Sequence, residues 1–340
     1  MADELDPVRA IANAVLYEGY VLWPYRRSAL KNQKRWTFGG VYPRAHSEAR
    51  EDDPWVMQTQ CLLEASAGAR VEVTVRFLHV VERQVARRSA GGALEPVDEL
   101  SVAGERHLSW TEAVERELAA GPLTLEELGA GHTVEIDISS ASEEEPVTDE
   151  RGRCVGAIVR SWKRLAGTIE MRAERLRPGL WRLSVRIVNT TPFDGNDRDE
   201  ALECTFCSTH TVLRVSPGGF VSQTDPPEEL REQAHACANE NTWPVLVGDG
   251  DDRSTMLSSP IILEDYPRIE PESPGDLFDG GEIDQMLVLN ILTLTDEEKA
   301  EMRDSDPRTR EILERTESLT PEQLMGLHGA VREFGMARGR

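Results

Sequence analysis

The sequence predicts a mainly β protein, with an antiparallel, sandwich-like body, a short N-terminal helix and a helical C-terminal extension. Several segments alternate apolar and polar residues with the two-residue period of a half-buried strand. No long helical segments separate these strands, so the strand–helix alternation that builds a parallel sheet is missing. After residue 295 the apolar residues change to helical spacing. We therefore divide the chain into a β domain over 1–295 and a helical extension over 296–340.

The first predicted element is a short helix opened by Asp6 and Pro7. Aspartate favours the N-cap position, and proline is tolerated at the first helical position. Apolar residues then follow near helical spacing at Val8, Ile11, Val15 and Leu16. From Tyr20 onward the period shortens to that of a strand.

Five segments carry the predicted strands. Residues 71–77 and 132–138 alternate apolar side chains with charged or hydroxyl side chains. Residues 167–188 are a predicted hairpin that turns at its proline–glycine pair. Residues 201–215 are predicted to form one long extended segment. The last candidate, 287–295, is apolar on both faces and is therefore predicted to be a central strand.

Two charged segments separate these strands. Residues 89–99 contain a glycine pair and a proline, and residues 142–152 combine a run of glutamates with a proline. Such compositions are typical of surface connections. We therefore predict flexible loops at both places.

The C-terminal extension carries two helix-start patterns. Thr295 and Glu298 have the spacing of a capping box, and Thr320 and Gln323 repeat it. The second helix has an apolar stripe made of Leu324, Leu327, His328, Val331 and Phe334. This stripe either docks on the body of the protein or binds a partner.

Charge and composition exclude several classes of function. The chain of 340 residues holds 61 acidic and 38 basic residues, a formal net charge of −23. This excess argues against a general nucleic-acid binder, because a phosphate backbone needs a cationic surface. No apolar run of about 18 residues is present, so no membrane span is predicted. The acidic N-terminus lacks the pattern of a secretory signal, and the five cysteines indicate a reducing cytoplasm.

The most suggestive metal motif is Cys204-x-x-Cys207-x-x-His210, with His235 and Cys237 as possible further ligands. Its spacing resembles half of a zinc site. In a regular strand, however, the two cysteines of the motif point to opposite faces and do not converge on one ion. We favour the alternative, in which these cysteines are small apolar core residues.

A second candidate for cation binding is the acidic segment 276–284. Four carboxylates surround its glycine pair: Asp276, Asp279, Glu282 and Asp284. A solvated acidic turn explains the same pattern. The usual nucleotide-binding, nucleophile-elbow and zinc-protease motifs are absent. We predict no catalytic residues, no metal and no cofactor.

The basic aromatic segment, residues 20–45, reverses the charge of the chain locally. It contains six cations, no acid and six of the 19 aromatic residues. Arginine beside tryptophan and tyrosine is the composition of interface hot spots. The alternative is a pair of strands whose aromatics fill the core and whose cations pair with the protein's own carboxylates. The residues predicted to bind a partner are Trp23, Tyr25, Arg26, Arg27, Lys31, Lys34, Arg35 and Trp36.

Two stretches, residues 10–43 and 259–302, also resemble a known family. The strings AIANAVLYEGYVLWPYRRSALKNQKRWTFGGVYP and SPIILEDYPRIEPESPGDLFDGGEIDQMLVLNILTLTDEEKAEM are similar to an uncharacterised family. That family is associated with gene clusters of uptake nickel–iron hydrogenases in actinobacteria and some other bacteria. The resemblance implies a cytoplasmic accessory role in building or supporting a hydrogenase. It carries no catalytic residues over to this chain.

The expected function is therefore that of a non-enzymatic accessory or assembly factor that acts through protein–protein contacts. Its partner would be a hydrogenase subunit or another maturation factor. The alternative is a metal-dependent enzyme or metal carrier. Its site would combine the cysteines and histidines of 204–237 with the acidic segment 276–284.

Overall fold

The computed structural model describes residues 7–17, 38–250, 252–267, 288, 290–305 and 307–320. Within these ranges the protein is mainly β, with antiparallel sheets in a sandwich-like arrangement. The fold class that the sequence predicts is therefore confirmed. The acidic segment 276–284 and the apolar stripe after Thr320 lie outside the described residues. In the described part of the chain, no helix has both the length and the apolar composition needed to cross a membrane.

One sheet has five strands in the order β13-β1-β11-β10-β7, and all of its pairs are antiparallel. The predicted hairpin is confirmed as β10 and β11, which turn at Gly179 with a φ of +80°. The predicted strand 132–138 is confirmed as β7. The strands are β1 (Val56–Glu64), β7 (His132–Ile138), β10 (Leu165–Arg177), β11 (Leu180–Asn189) and β13 (Gly219–Phe220).

The second sheet has eight strands, and the long strand β2 (Arg70–Arg88) is its spine. One edge of β2 pairs first with β12 and then with β9, and the other edge pairs first with β6 and then with β3. The other strands are β3 (Leu94–Val97), β6 (Trp110–Thr124), β8 (Ala141–Thr148), β9 (Cys154–Trp162), β12 (Cys207–Ser216), β14 (Trp243–Leu246) and β15 (Thr255–Ser259). A separate hairpin consists of β4 (Glu99–Val102) and β5 (Glu105–Leu108).

The main core lies between the two sheets. Val71, Val73, Val75 and Phe77 of β2 face apolar side chains of the five-stranded sheet, and all four are buried. The Phe77 ring packs on Phe206, with centroids 4.8 Å apart. Each fully buried side chain of this kind contributes about 1.5–3 kcal/mol. This layer supplies the main apolar driving force for folding.

Helices cover the outer face of the eight-stranded sheet. Helix α1 (Pro7–Tyr17), predicted from its spacing, is confirmed and packs its apolar side on Val212 and Leu257. Its Asn13 side chain accepts a hydrogen bond from Arg76 Nη2 at 2.8 Å. The remaining helices are α2 (Arg44–Ser47), α3 (Leu125–Gly129), α4 (Arg198–Leu202), α5 (Arg231–His235), α6 (Asp296–Ser305) and α7 (Pro307–Glu317).

The two C-terminal helices dock on the same face. Met302 of α6 and Ile312 of α7 are buried beside Leu16 and Leu78. The capping box is confirmed: Glu298 N–H donates to Thr295 Oγ1 at 3.2 Å, and Thr295 N–H donates to the Glu298 carboxylate at 3.0 Å. Helices α1, α6 and α7 thus share one apolar cluster.

The predictions for residues 287–295, 142–152 and 89–99 are wrong. In 287–295, residues 288 and 290–292 are helical, because a short apolar run does not distinguish a buried strand from a buried helix. Much of 142–152 is strand β8, an edge strand where charged residues and Pro146 are tolerated because one side makes no ladder. Likewise, 89–99 contains β3 and the start of β4 rather than a single loop.

Candidate functional site

The residues predicted to bind a partner lie outside the described ranges. This holds for Trp23, Tyr25, Arg26, Arg27, Lys31, Lys34, Arg35 and Trp36. The structure describes the basic aromatic segment only from Phe38 to Ala45. There Tyr42 is buried while the Arg44 side chain is 63% exposed. The described end of the segment therefore leads from the core to the surface.

Tyr42, His46, Asp53 and Arg198 form a compact group that we call the Asp53 network. His46 Nε2 lies 2.9 Å from Asp53 Oδ2. Arg198 donates to both Asp53 oxygens, from Nε at 3.1 Å and from Nη2 at 3.2 Å. Arg198 Nη2 also donates to the Tyr42 hydroxyl at 2.5 Å, and the Tyr42 ring stacks on the imidazole of His46. The network ties α2 and the loop after it to α4.

Electrostatics keep the Asp53 carboxylate ionised. Burial raises its pKa, but hydrogen bonds from Arg198 and His46 outweigh burial, so the pKa of Asp53 lies below its ordinary value. Burial lowers the pKa of Arg198, but the Asp53 hydrogen bond and the charges of Tyr42, Asp53 and Asp199 together outweigh burial, so this pKa lies above its ordinary value. Both Asp53 oxygens are occupied, and His46 is 4% exposed. These groups are arranged as a structural clamp rather than as an accessible acid or base.

An open cleft of about 370 Å³ lies beside this network. One of its lining side chains is Trp55, and two guanidinium groups lie over the indole ring. Arg44 stands 4.7 Å from the ring centroid and Arg186 stands 5.9 Å from it. The cleft, which we call the Trp55 cleft, is lined by Ser47, Glu51, Asp53, Pro54, Trp55, Val56, Arg186, Glu240 and Asn241.

The walls of the Trp55 cleft are fixed by backbone hydrogen bonds. Gln58 and Glu240 exchange both of their main-chain bonds, at 2.8 and 3.1 Å. Asn241 has a φ of +61°, a left-handed conformation that asparagine tolerates, and its side chain donates to Val56 O at 3.1 Å. The cleft therefore has a rigid framework at the start of β1.

Exposed apolar side chains continue the surface beyond the cleft. Trp243, two residues after Asn241, is 44% exposed, and Ile262 is 73% exposed. Both lie near Pro260, since Trp243 pairs with Ser259 in the sheet. Gly39 approaches Pro260 so closely that a β-carbon on Gly39 would collide with the proline ring. The basic aromatic segment thus meets this apolar surface at its described end.

The cysteines and histidines proposed as metal ligands have different surroundings. Cys207 belongs to the cluster under the C-terminal helices, whereas Cys237 packs against the cluster around Leu62. Burial raises the pKa of the Cys204 and Cys237 thiols, and burial followed by the charge of Arg76 lowers the pKa of His210 to about 3. Among the described residues, no group of three or more histidines, cysteines and carboxylates is placed to hold a metal ion.

The extended segment predicted over 201–215 is wrong in its first half. Residues up to Leu202 belong to α4, and β12 begins only at Cys207. Ser208 then has a φ of +52° at a break in the register with β2. Cys204 and Cys207 are both buried as predicted, at 5% and 1% exposure, but not because a regular strand separates them.

The sequence did not indicate the Asp53 network or the Trp55 cleft. Arg198 and Asp53 are 145 positions apart, and neither lies in a recognisable motif. A lone tryptophan after an acidic stretch at Glu51–Asp53 is the only local signal. The fold brings these residues together through the pairing of β1 with β11.

The chain matches no protein-family model, no curated protein and no solved structure.

Proposed function

We propose that this protein is a non-enzymatic accessory or assembly factor that supports a nickel–iron hydrogenase through protein–protein contacts. The choice of partner, a hydrogenase subunit or another maturation factor, is supported by the sequence resemblance of residues 10–43 and 259–302. The proposed contact surface combines the basic aromatic segment with the Trp55 cleft.

The observation that carries the proposal is the setting of Trp55. Its indole lines an open cleft, and the guanidinium groups of Arg44 and Arg186 lie over the ring at 4.7 and 5.9 Å from its centroid. Tryptophan and arginine are the residues most enriched among interface hot spots, particularly in pockets that exclude water on binding. A partner side chain that enters the cleft would bury the ring of Trp55 without reorganising its rigid walls.

The Asp53 network supports a structural role for the groups behind the cleft. A general base needs a free nitrogen or oxygen within hydrogen-bond reach of substrate. In the network, the Asp53 oxygens accept three hydrogen bonds from His46 and Arg198. This arrangement favours a binding surface over a catalytic one.

The state of the thiols supports a cytoplasmic location for this function. None of the five cysteines forms a disulfide. Reducing compartments keep thiols in this state, whereas disulfides persist in secreted proteins. We therefore place the proposed assembly role in the cytoplasm.

Titration of the protein against purified nickel–iron hydrogenase subunits tests this proposal by isothermal calorimetry. Trp55→Ala is expected to weaken binding about 30-fold, because loss of an anchor costs about 2 kcal/mol. Trp162→Ala is the matched control, because Arg116 lies over its ring at 5.4 Å on another part of the surface. Circular dichroism checks that both variants fold.

Two results would contradict the proposal in different ways. If the unaltered protein binds neither hydrogenase subunit, the choice of partner is wrong. If it binds and both tryptophan variants retain full affinity, the partner is correct and the Trp55 cleft is not the contact.

A further inference from the structure

The eight-stranded sheet carries four arginines that are wholly or partly buried on β2, β6 and β9. Three of them have carboxylate partners. Arg76 pairs with Glu115 and Glu117, Arg83 pairs with Glu112, and Arg160 pairs with Glu112 and Glu145, at 2.7–3.3 Å. The fourth, Arg116 of β6, makes no ion pair within the described residues. In a chain with a net charge of −23, a half-buried cation without a carboxylate stands out.

Arg116 has incomplete hydrogen bonding as well as an unbalanced charge. Its Nη2 lies 3.4 Å from His79 Nδ1, and its guanidinium lies 5.4 Å from the centroid of the Trp162 ring. Its Nε is buried and has no hydrogen-bond acceptor among the residues that the structure describes. An unsatisfied donor on a charged group costs more than one on a neutral group. The site therefore lacks an acceptor that carries negative charge.

The neighbouring groups do not supply that charge. Burial, followed by the charge of Arg116, lowers the pKa of His79 to about 4, so its imidazole is neutral at pH 7. Lys163, next to Trp162, is itself a cation and is paired with Glu203 at 2.8 Å. No carboxylate is thus left over beside Arg116 among the contacts that the structure describes.

The geometry suits one chemical class of ligand. A guanidinium that contacts an aromatic ring through its face still has N–H groups along its edge. These can donate in pairs to the oxygens of a carboxylate or phosphate. Arg116 is only partly buried, and Val114, two residues away on β6, is 39% exposed. A small anion can therefore approach from solvent.

We propose that Arg116, together with Trp162 and His79, forms a binding site for a small oxyanion, a carboxylate or a phosphate group. In this site Arg116 donates hydrogen bonds to the anion, and the ring of Trp162 holds the guanidinium in place. His79 Nδ1 accepts from Arg116 Nη2. The site is separate from the Trp55 cleft and does not depend on the proposed hydrogenase partner.

Titration of the full chain with inorganic phosphate, and separately with acetate, tests the site at an ionic strength held constant with chloride. Calorimetry and the thermal midpoint are both followed. For one of the two anions, the unaltered protein is expected to show saturable binding and a rise in midpoint. Binding of phosphate would identify a phosphate site, and binding of acetate would identify a carboxylate site.

Substitutions assign the response to Arg116. Arg116→Gln is expected to weaken anion binding at least 10-fold, and Arg116→Lys to weaken it less, because a lysine keeps the charge but not the paired donors. Arg175→Gln is the matched control, because Arg175 lies over Trp181 at 5.9 Å but is exposed. It is expected to bind as the unaltered protein does.

Three results would overturn the site. They are the absence of saturable binding of either anion, equal binding by both Arg116 variants and the unaltered protein, and an equal loss in Arg175→Gln. If Arg116→Gln fails to fold, the comparison of Arg116→Lys with Arg175→Gln still decides between the outcomes.

Discussion

The two halves of β2 have the same alternation of side chains but carry different residue types at their inward positions. In the near half, up to Phe77, the inward positions are Val71, Val73, Val75 and Phe77, and the five-stranded sheet covers them. In the far half the same alternation places His79, Val81, Arg83 and Val85 inward. Of these four, only Val85 joins an apolar cluster, a small one shared with β4, β8 and β9.

This difference shows where the sandwich ends. Apolar side chains occupy the inward face of β2 as long as a second sheet lies opposite, and charged side chains appear beyond it. The far half is held by the ion pairs of Arg83 and Arg160 and by a satellite core. Arg116, which makes no ion pair with a described residue, lies at the junction. Regions with few apolar contacts are the ones that tolerate functional groups.

The largest expected effect is the loss of stability when a core side chain is truncated, which should differ between the two halves of β2. Phe77→Ala should lower the free energy of unfolding by about 3–5 kcal/mol, because it leaves a cavity against Phe206 in the main core. Val85→Ala, in the satellite core of the far half, should cost about 1–3 kcal/mol because a smaller side chain is lost. Urea unfolding of both variants measures the difference. A larger loss for Val85→Ala would show that the far half supplies most of the stability.

The same contrast explains which parts of the fold were predictable. The alternation of 71–77 is regular because its surroundings are uniform, so it indicated a strand. His79 and Arg83 interrupt that alternation, and the far half of β2 was therefore missed. Strand β8 was predicted as a loop because its charges are those of an edge. Sequence patterns report burial, and they fail where a strand is held by charge.

The candidate sites were less predictable for a different reason. Asp53 meets Arg198 across 145 positions, and Arg116 meets His79 across 37. Both meetings follow from strand pairing that no local pattern encodes. The proposed role of Arg116 rests on the absence of a carboxylate partner among the described residues. Such an absence can be recognised only from the contacts in the folded protein.

The second expected effect concerns pH and the far half. The pKa of His79 is about 4 in the folded protein, below the ordinary value of 6.5, so the unfolded chain takes up its proton first. Stability should therefore fall as pH decreases from about 6.5 to about 4, by about 2 kcal/mol after allowance for partial solvent screening.

Urea unfolding across this pH window, in buffer without phosphate or carboxylates, measures the effect. His79→Gln should flatten the dependence by about one proton, whereas His132→Gln, at an exposed histidine of β7, should leave it unchanged. Equal slopes for His79→Gln and the unaltered protein would mean that the pKa of His79 is the same in the folded and unfolded states.

The smallest expected effects concern two carboxylates of the far half, both of which form an ion pair with Arg160. Glu145 lies 2.7 Å from Arg160 and its side chain is 60% exposed, whereas Glu112 lies 3.1 Å away and its side chain is 13% exposed. Glu112 also pairs with the nearly buried Arg83. Glu112→Gln should therefore cost about 1.5 kcal/mol, because it leaves Arg83 without a counter-ion in a poorly solvated position.

Glu145→Gln should cost less than about 1 kcal/mol despite the shorter distance, because solvent screens an exposed pair. Its contribution should disappear in about 1 M salt, where the screening length falls to roughly 3 Å, while that of Glu112 should persist. Urea unfolding of both variants at low and high salt measures this. A greater loss for Glu145→Gln would mean that surface charge, rather than a buried ion pair, holds the far half of β2.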